Sequence, residues 1–185
     1  MGKSAQPLSS TLRRLKPSTI TSAIEERPVM TKVPEFDVPA AHRYFSAHCF
    51  NTAWDLIEKK DRTPDDERLM VALNQACIYH WLQRDDCNNQ RLSVGYWQAS
   101  RIQALLGNAA EALRLGAICL SYSGALSPFY LGFAHEALAR AHRLAANVKD
   151  ATRHLQSAQE LAAKVSDKGE RELLVADLAH LESRA

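Results

Sequence analysis

Residues 96–162 read YWQASRIQALLGNAAEALRLGAICLSYSGALSPFYLGFAHEALARAHRLAANVKDATRHLQSAQELA, and this stretch decides the fold. It holds two helical hairpins that look like copies of each other. The offset is 39 residues, the separation of Ala112 from Ala151. Ser100-Arg101 stands where Ala139-Arg140 stands, and Leu105 matches Leu144. Asn108 matches Asn147, Glu111 matches Asp150, and small Cys119 falls where small Ala158 falls. Each copy reads helix, tight turn at Asn, helix. A period in the tens of residues marks an architecture of stacked hairpins.

The rest of the chain fits that frame. A length of 185 residues suffices for one domain with a sizeable core, and 46% hydrophobic with 24% charged residues is ordinary for a globular protein. No apolar run approaches the roughly 18 residues that span a bilayer, so no membrane is expected. The net charge of +2 is unevenly placed. Residues 1–38 carry six Lys/Arg against four acids, and the charges of residues 39–185 balance. A nucleic-acid binder shows a basic excess on its folded domain, so nucleic acid is not an expected partner. Cys49, Cys77, Cys87 and Cys119 form no C-x-x-C pair. Free Cys at apolar helix positions are small hydrophobes, and the expected setting is reducing and cytoplasmic.

Residues 1–38 read as a disordered N-terminal tail and 39–185 as a single helical domain. Five of the seven prolines fall in or beside the tail: Pro7, Pro17, Pro28, Pro34 and Pro39. Up to Ile24 the segment has Lys3, Arg13, Arg14 and Lys16 and no acid, a composition like a transit peptide. The alternatives are a plain flexible tail, or a start that belongs at Met30. The body predicts seven helices and no strand, because apolar residues recur at three- and four-residue steps and never alternate. The first helix is expected over about 40–60 and the second over about 64–84, opened by the Thr63 cap with Pro64 behind it. The third is expected over about 92–107, after a loop at 85–89. The fourth opens at the Asn108 cap with Glu111 three residues on, a capping-box pattern. Ser127-Pro128 opens the fifth, and Asn147 with Asp150 opens the sixth. The seventh is expected over about 168–183.

On these residues the chain resembles a tetratricopeptide repeat over about residues 92–165. Tyr96 falls where that family favours Trp, Ala99-Ser100 on its Leu-Gly, and Gly107 on its turn Gly. Ala112 and Cys119 fall on its two small positions, and His135, Leu138-Ala139, Ala146, Ala151 and Ala158 repeat the pattern. The resemblance implies an all-α fold of antiparallel hairpins stacked as a right-handed superhelix, with the seventh helix as its cap. An alanine-rich bundle of ordinary kind would show small residues at similar spacings. The resemblance also implies a non-enzymatic module that holds a protein or peptide in a concave groove. The first helix of each pair would line that groove, exposing Val94, Trp97, Arg101 and Ala104, then Phe133, Glu136, Arg140 and Arg143. Trp97, Arg101, Glu136, Arg140 and Arg143 are the expected partner-binding residues. Arginine forks suit an acidic segment. The same arginines could instead pair with neighbouring acids such as Glu136.

Other chemistry has thinner support. No two of the seven His are three or four residues apart, the spacing that puts two metal ligands on one helix face. Asp150 with His154 and Asp177 with His180 could bridge a metal, or be solvated surface pairs. No G-x-S-x-G, P-loop or G-x-G-x-x-G occurs. No catalytic residue, metal or cofactor is therefore expected. Tyr79, His80, Trp81 and Trp97 concentrate aromatic surface, as core or as the floor of a ligand site. The competing function is a helical-bundle enzyme or a small-molecule or metal binder around His48, His80 and Trp81. A third is a subunit that works only inside an assembly.

Overall fold

The structure is a computed structural model, and it describes residues 35–182. The expectations for the first 34 residues lie outside the described part. Seven helices follow: α1 (Val38–Glu58), α2 (Pro64–Leu82), α3 (Asn89–Leu105), α4 (Ala109–Ser123), α5 (Pro128–Leu144), α6 (Val148–Ala162) and α7 (Lys168–Glu182). No strand occurs among the described residues. The chain is all-α, as its periodicity requires.

Local chemistry sets the helix ends. Asp37 accepts the Ala40 N–H at 2.9 Å, so α1 begins two residues before the expected start. Thr63 and Asp66 form a full capping box at the head of α2. Lys59 reaches the same Asp66 at 2.7 Å, and its hydrogen bond, with those of Thr63, holds that carboxyl down at about 2. Asn88 caps α3 by accepting the Arg91 N–H at 3.0 Å, which starts that helix at Asn89, inside the expected loop. Asn108 and Ser127 correct the expectation of side-chain caps, since neither makes a cap hydrogen bond. The Asn108 amide turns back and donates to Gln103 at 2.8 Å. Asn147 does cap, accepting the Asp150 N–H.

The internal copy is a copy in three dimensions. The bounds of α3 and α4 reappear in α5 and α6 at the offset of Ala112 from Ala151. The turns match as well. The Asn108 N–H donates to the Gln103 carbonyl at 2.9 Å, and the Asn147 N–H donates to the His142 carbonyl at 2.9 Å. Both turns pass through the left-handed region, Gly107 at φ 79° and Ala146 at φ 56°. Glycine takes that conformation freely, and a Cβ does not. Ala146→Gly is therefore expected to stabilise the protein, by about 0.5–1 kcal/mol. A denaturant midpoint that falls would show that the Ala146 methyl contributes packing of larger value.

Helices pair within hairpins, α1 with α2, α3 with α4 and α5 with α6. Each later hairpin leans on the one before: α3 on α2, and α5 on both α4 and α3. The final helix, α7, leans on α6 and α5. The core is accordingly a series of small clusters between successive helices. Ile57, Met70 and Ile102 form one, and Ile78, Ala99 and Leu115 another. Ala112 and Ala151 are both buried, and Ser100 of α3 donates to the Ala112 carbonyl of α4 at 2.8 Å. A buried polar link ties the first hairpin to α3. Asn74 donates to the Gly95 carbonyl and to Gln98, both at 3.1 Å, and Gln98 donates to the Phe50 carbonyl at 3.1 Å. Buried amides need such partners, so this link fixes how α3 sits on α1 and α2.

Candidate functional site

The first helices of the hairpins, α1, α3 and α5, line one groove together with α7. Its aromatic part is a cavity of about 550 Å³ walled by Phe50, Trp54, Val94, Trp97, Phe129 and Phe133, with Leu173, Ala176 and Asp177 of α7 opposite. Beside it lies a basic cavity of about 870 Å³, with Lys60, Arg101, Arg140 and Arg143 in its walls. Trp54 and His180 border both.

Helix geometry explains the aromatic floor. Trp54 stacks on Trp97 at 5.5 Å, and Trp97 meets Phe133 edge-on at 5.2 Å. Residues from three helices thus form one continuous ladder. The Arg101 guanidinium lies over Trp54 at 5.3 Å and over Trp97 at 5.5 Å. It also donates to Asp177 of α7, at 2.7 and 3.4 Å. Each cation–π contact contributes about 0.5–2 kcal/mol.

The structure brings together the five residues expected from the sequence, but not as one exposed strip. Glu136 is fully buried, which corrects the expectation that it lines the surface. The Trp97 Nε1–H donates to one of its oxygens at 2.9 Å, and Arg140 donates to the other. Trp97 and Glu136 occupy equivalent places in the two copies, so this bond joins successive hairpins. Arg143 donates to the Leu181 carbonyl of α7. The arginines therefore have internal partners, the alternative that the sequence left open. Trp54 and Lys60 escaped notice in the sequence, although Trp54, like Trp97, lies on the first helix of a hairpin.

The other candidate residues do not converge. Trp81 is buried with Cys49 and Cys77, while His80 contacts His42 through their Nδ1 atoms at 2.8 Å, and His48 stacks on Tyr44. Tyr79 is half-exposed. The expected cluster of Tyr79, His80, Trp81 and Trp97 is thus split between a core, a surface and the groove. Asp177 serves Arg101, and Asp150 pairs with Arg153 at 2.9 Å. Among the described residues no group of three His, Cys, Asp or Glu is placed to hold a metal ion. Burial pushes the Cys77 thiol up to about 12 and the Cys119 thiol to about 11, so neither is a reactive thiolate.

One histidine group has a physical consequence. His135 and His142 of α5 face His154 of α6. The Nδ1 atoms of His135 and His154 meet at 2.9 Å, and His142 stacks on His154 at 5.4 Å. Burial, and then the neighbouring His135, Arg153 and His142, hold His154 down at about 4, against an opposing pull from Asp150. The fold thus keeps this ring neutral, while the unfolded chain takes up its proton near 6.5. The contribution is complete above pH 6.5 and is lost as the pH falls toward 4. The expected loss is about 2 kcal/mol, read as a melting temperature lower by several degrees. It precedes the titration of Asp66 and Asp86, which lie at about 2. His154→Gln should flatten this acid limb, and an unchanged limb would place the sensitivity elsewhere.

No helix among the described residues is long and apolar enough to cross a membrane. Against known proteins, no family model matches this chain, and neither a curated protein nor a solved structure matches it.

Proposed function

We propose that the chain is a non-enzymatic interaction module, a scaffold of tetratricopeptide-like hairpins wound as a right-handed superhelix, which holds a protein or peptide segment in its groove. The observation that carries this reading is the convergence of α1, α3, α5 and α7 on one aromatic, basic-ended groove. Stacked hairpins present such a surface to partners because one helix of each pair always faces the same way. Trp and Arg together on one surface have the composition of an interaction hot spot. An acidic segment would take Arg101 over from Asp177 and engage Arg143 at the basic end. The reducing cytoplasm suits the four free thiols.

The test uses a partner captured from the native organism and two substitutions with opposite expected effects. Arg101→Ala should weaken binding about tenfold or more, the value of a charge-assisted bond. Asp177→Asn removes the charge that holds Arg101 and leaves it one amide oxygen, and should tighten binding of an acidic segment. Arg140 is left alone, because its loss would strand buried Glu136 and confuse folding with binding. Equal affinities for wild type and both variants would remove the groove from the interaction.

A further inference from the structure

The aromatic cavity has few groups to satisfy a peptide backbone. Its walls are helix side chains, and outside the first turn of α5, at Phe129 and Tyr130, the helix N–H and C=O groups are bonded within their own helices. Ser93 is bonded to Ser123 at 2.7 Å, Asp177 to Arg101, and the Tyr130 hydroxyl accepts from Gln90, which leaves Asn51 at the rim and His180 as the other polar side chains of the lining. An extended peptide there would leave its own amides unpaired, at about 1–3 kcal/mol for each buried group. A helix satisfies its own backbone but is about 10–12 Å across. The Arg101–Asp177 bond joins α3 directly to α7, so a helical segment could lie along the groove only by opening that bond, as the acidic segment proposed above does when it takes Arg101 over. A guest without backbone amides and one carbon chain thick meets neither obstacle. The cavity volume of about 550 Å³ lies within the range of ligand pockets, roughly 300–1,000 Å³.

The basic cavity supplies the other half of the guest. Among its described lining residues Glu58 is the sole carboxylate, and it accepts from Trp54 at 3.0 Å. Arg101 is matched by Asp177 and Arg140 by Glu136. Among the described residues Arg143 has only the Leu181 carbonyl, and Lys60 has no partner. The Arg140 Nε is buried with no hydrogen-bond partner among the described residues. The four cations Lys60, Arg101, Arg140 and Arg143 stand against the three carboxylates Glu58, Asp177 and Glu136, so an anion placed there would meet a net positive charge centred on Arg143 and Lys60. Trp54 and His180 border both cavities, so the two lie side by side along the groove.

We propose that the groove binds a single-chain anionic amphiphile, with its alkyl chain against Trp54, Trp97 and Phe133 and its anionic head at Arg143, Lys60 and Arg140. Carboxylate and phosphate heads share this chemistry. The ligand is independent of any partner segment and would compete with one for the groove.

The experiment titrates the full chain with dodecanoate and, separately, dodecyl phosphate, both below their micelle concentrations. Calorimetry gives stoichiometry, and tryptophan fluorescence reports on Trp54 and Trp97. Saturable one-to-one binding of at least one anion is expected, and which one binds identifies the head. Dodecyltrimethylammonium has the same chain with a cationic head and should bind about tenfold weaker or less. Arg143→Gln should weaken the anion about tenfold and leave the cation unchanged. Ala176→Trp fills the cavity from an exposed position on α7 and should abolish binding with an unchanged melting temperature; if the helix is disturbed, Val94→Phe fills the same space from α3. Equal binding of anion and cation, unsaturable uptake, or tight binding in the filled variants would overturn the proposal. So would no binding of either anion, and that result leaves the peptide reading to its own test, which uses a captured partner and no lipid.

Discussion

Glu136→Ala is expected to destabilise the protein by about 3–5 kcal/mol, the largest single loss available in the groove. The carboxylate is fully buried, and each oxygen has a partner. Among the described residues its removal leaves the Arg140 guanidinium, only 18% exposed, with no paired carboxylate and a buried Nε that already lacks a partner. It also leaves the Trp97 indole N–H without an acceptor. A stranded buried charge costs more than the intact pair contributes. Glu136→Gln keeps the shape and one acceptor oxygen and should lose less, about 1.5–3 kcal/mol. Glu136→Leu combined with Arg140→Met removes both charges and should recover most of the loss. Denaturant unfolding distinguishes these cases. A loss of less than about 0.5 kcal/mol for Glu136→Ala is the size of a surface substitution, and would mean that water reaches the site.

That carboxylate shows where sequence reasoning stops. The hairpins were legible because their signals are local. Thr63-Pro64 announces α2, and the matched positions around Ala112 and Ala151 announce the repeated pair. Shared helix faces were legible too: Glu136 and Arg140, four residues apart, are bonded as that spacing allows. The burial of Glu136 was not legible, because it depends on Trp97 from the preceding hairpin. Nor was the partner of Arg101, since Asp177 lies on the last helix and reaches it only through the stacking angles of the helices between. The aromatic run at 79–81 misled for a simpler reason. Successive residues of a helix point about 100° apart, so Tyr79, His80 and Trp81 face a surface, an α1 contact and a core. Asn108 and Asn147 have the same sequence setting, yet only Asn147 caps. At Asn108 a nearby Gln103 takes the amide, and at the matching place stands His142.

Leu174→Ala is expected to cost about 2–5 kcal/mol and to loosen the wall that α7 gives the groove. Leu174 is fully buried, in a cluster with Ala158, Ala162, Val165 and Leu178 against Phe129 and Phe133. Phe129 and Phe133 also face the aromatic cavity, so this cluster sets the cavity wall from behind. The fit depends on Gly132 of α5. A Cβ at that position would meet the Leu174 Cδ2 at 2.5 Å, too close for any real contact. Gly132→Ala should therefore overpack the α5–α7 contact by about 1–3 kcal/mol, offset in part by the better helix propensity of Ala. The two substitutions are coupled. With Leu174 cut back to Ala, the clashing methyl is gone, and the methyl added by Gly132→Ala enters the vacated space. The double variant should be more stable than the sum of the single losses predicts, by about 1 kcal/mol or more. Denaturant unfolding of the four proteins completes the cycle. Additive losses would mean that α7 moves away from α5 in the single variants, and the Arg101–Asp177 bond would then be lost along with it.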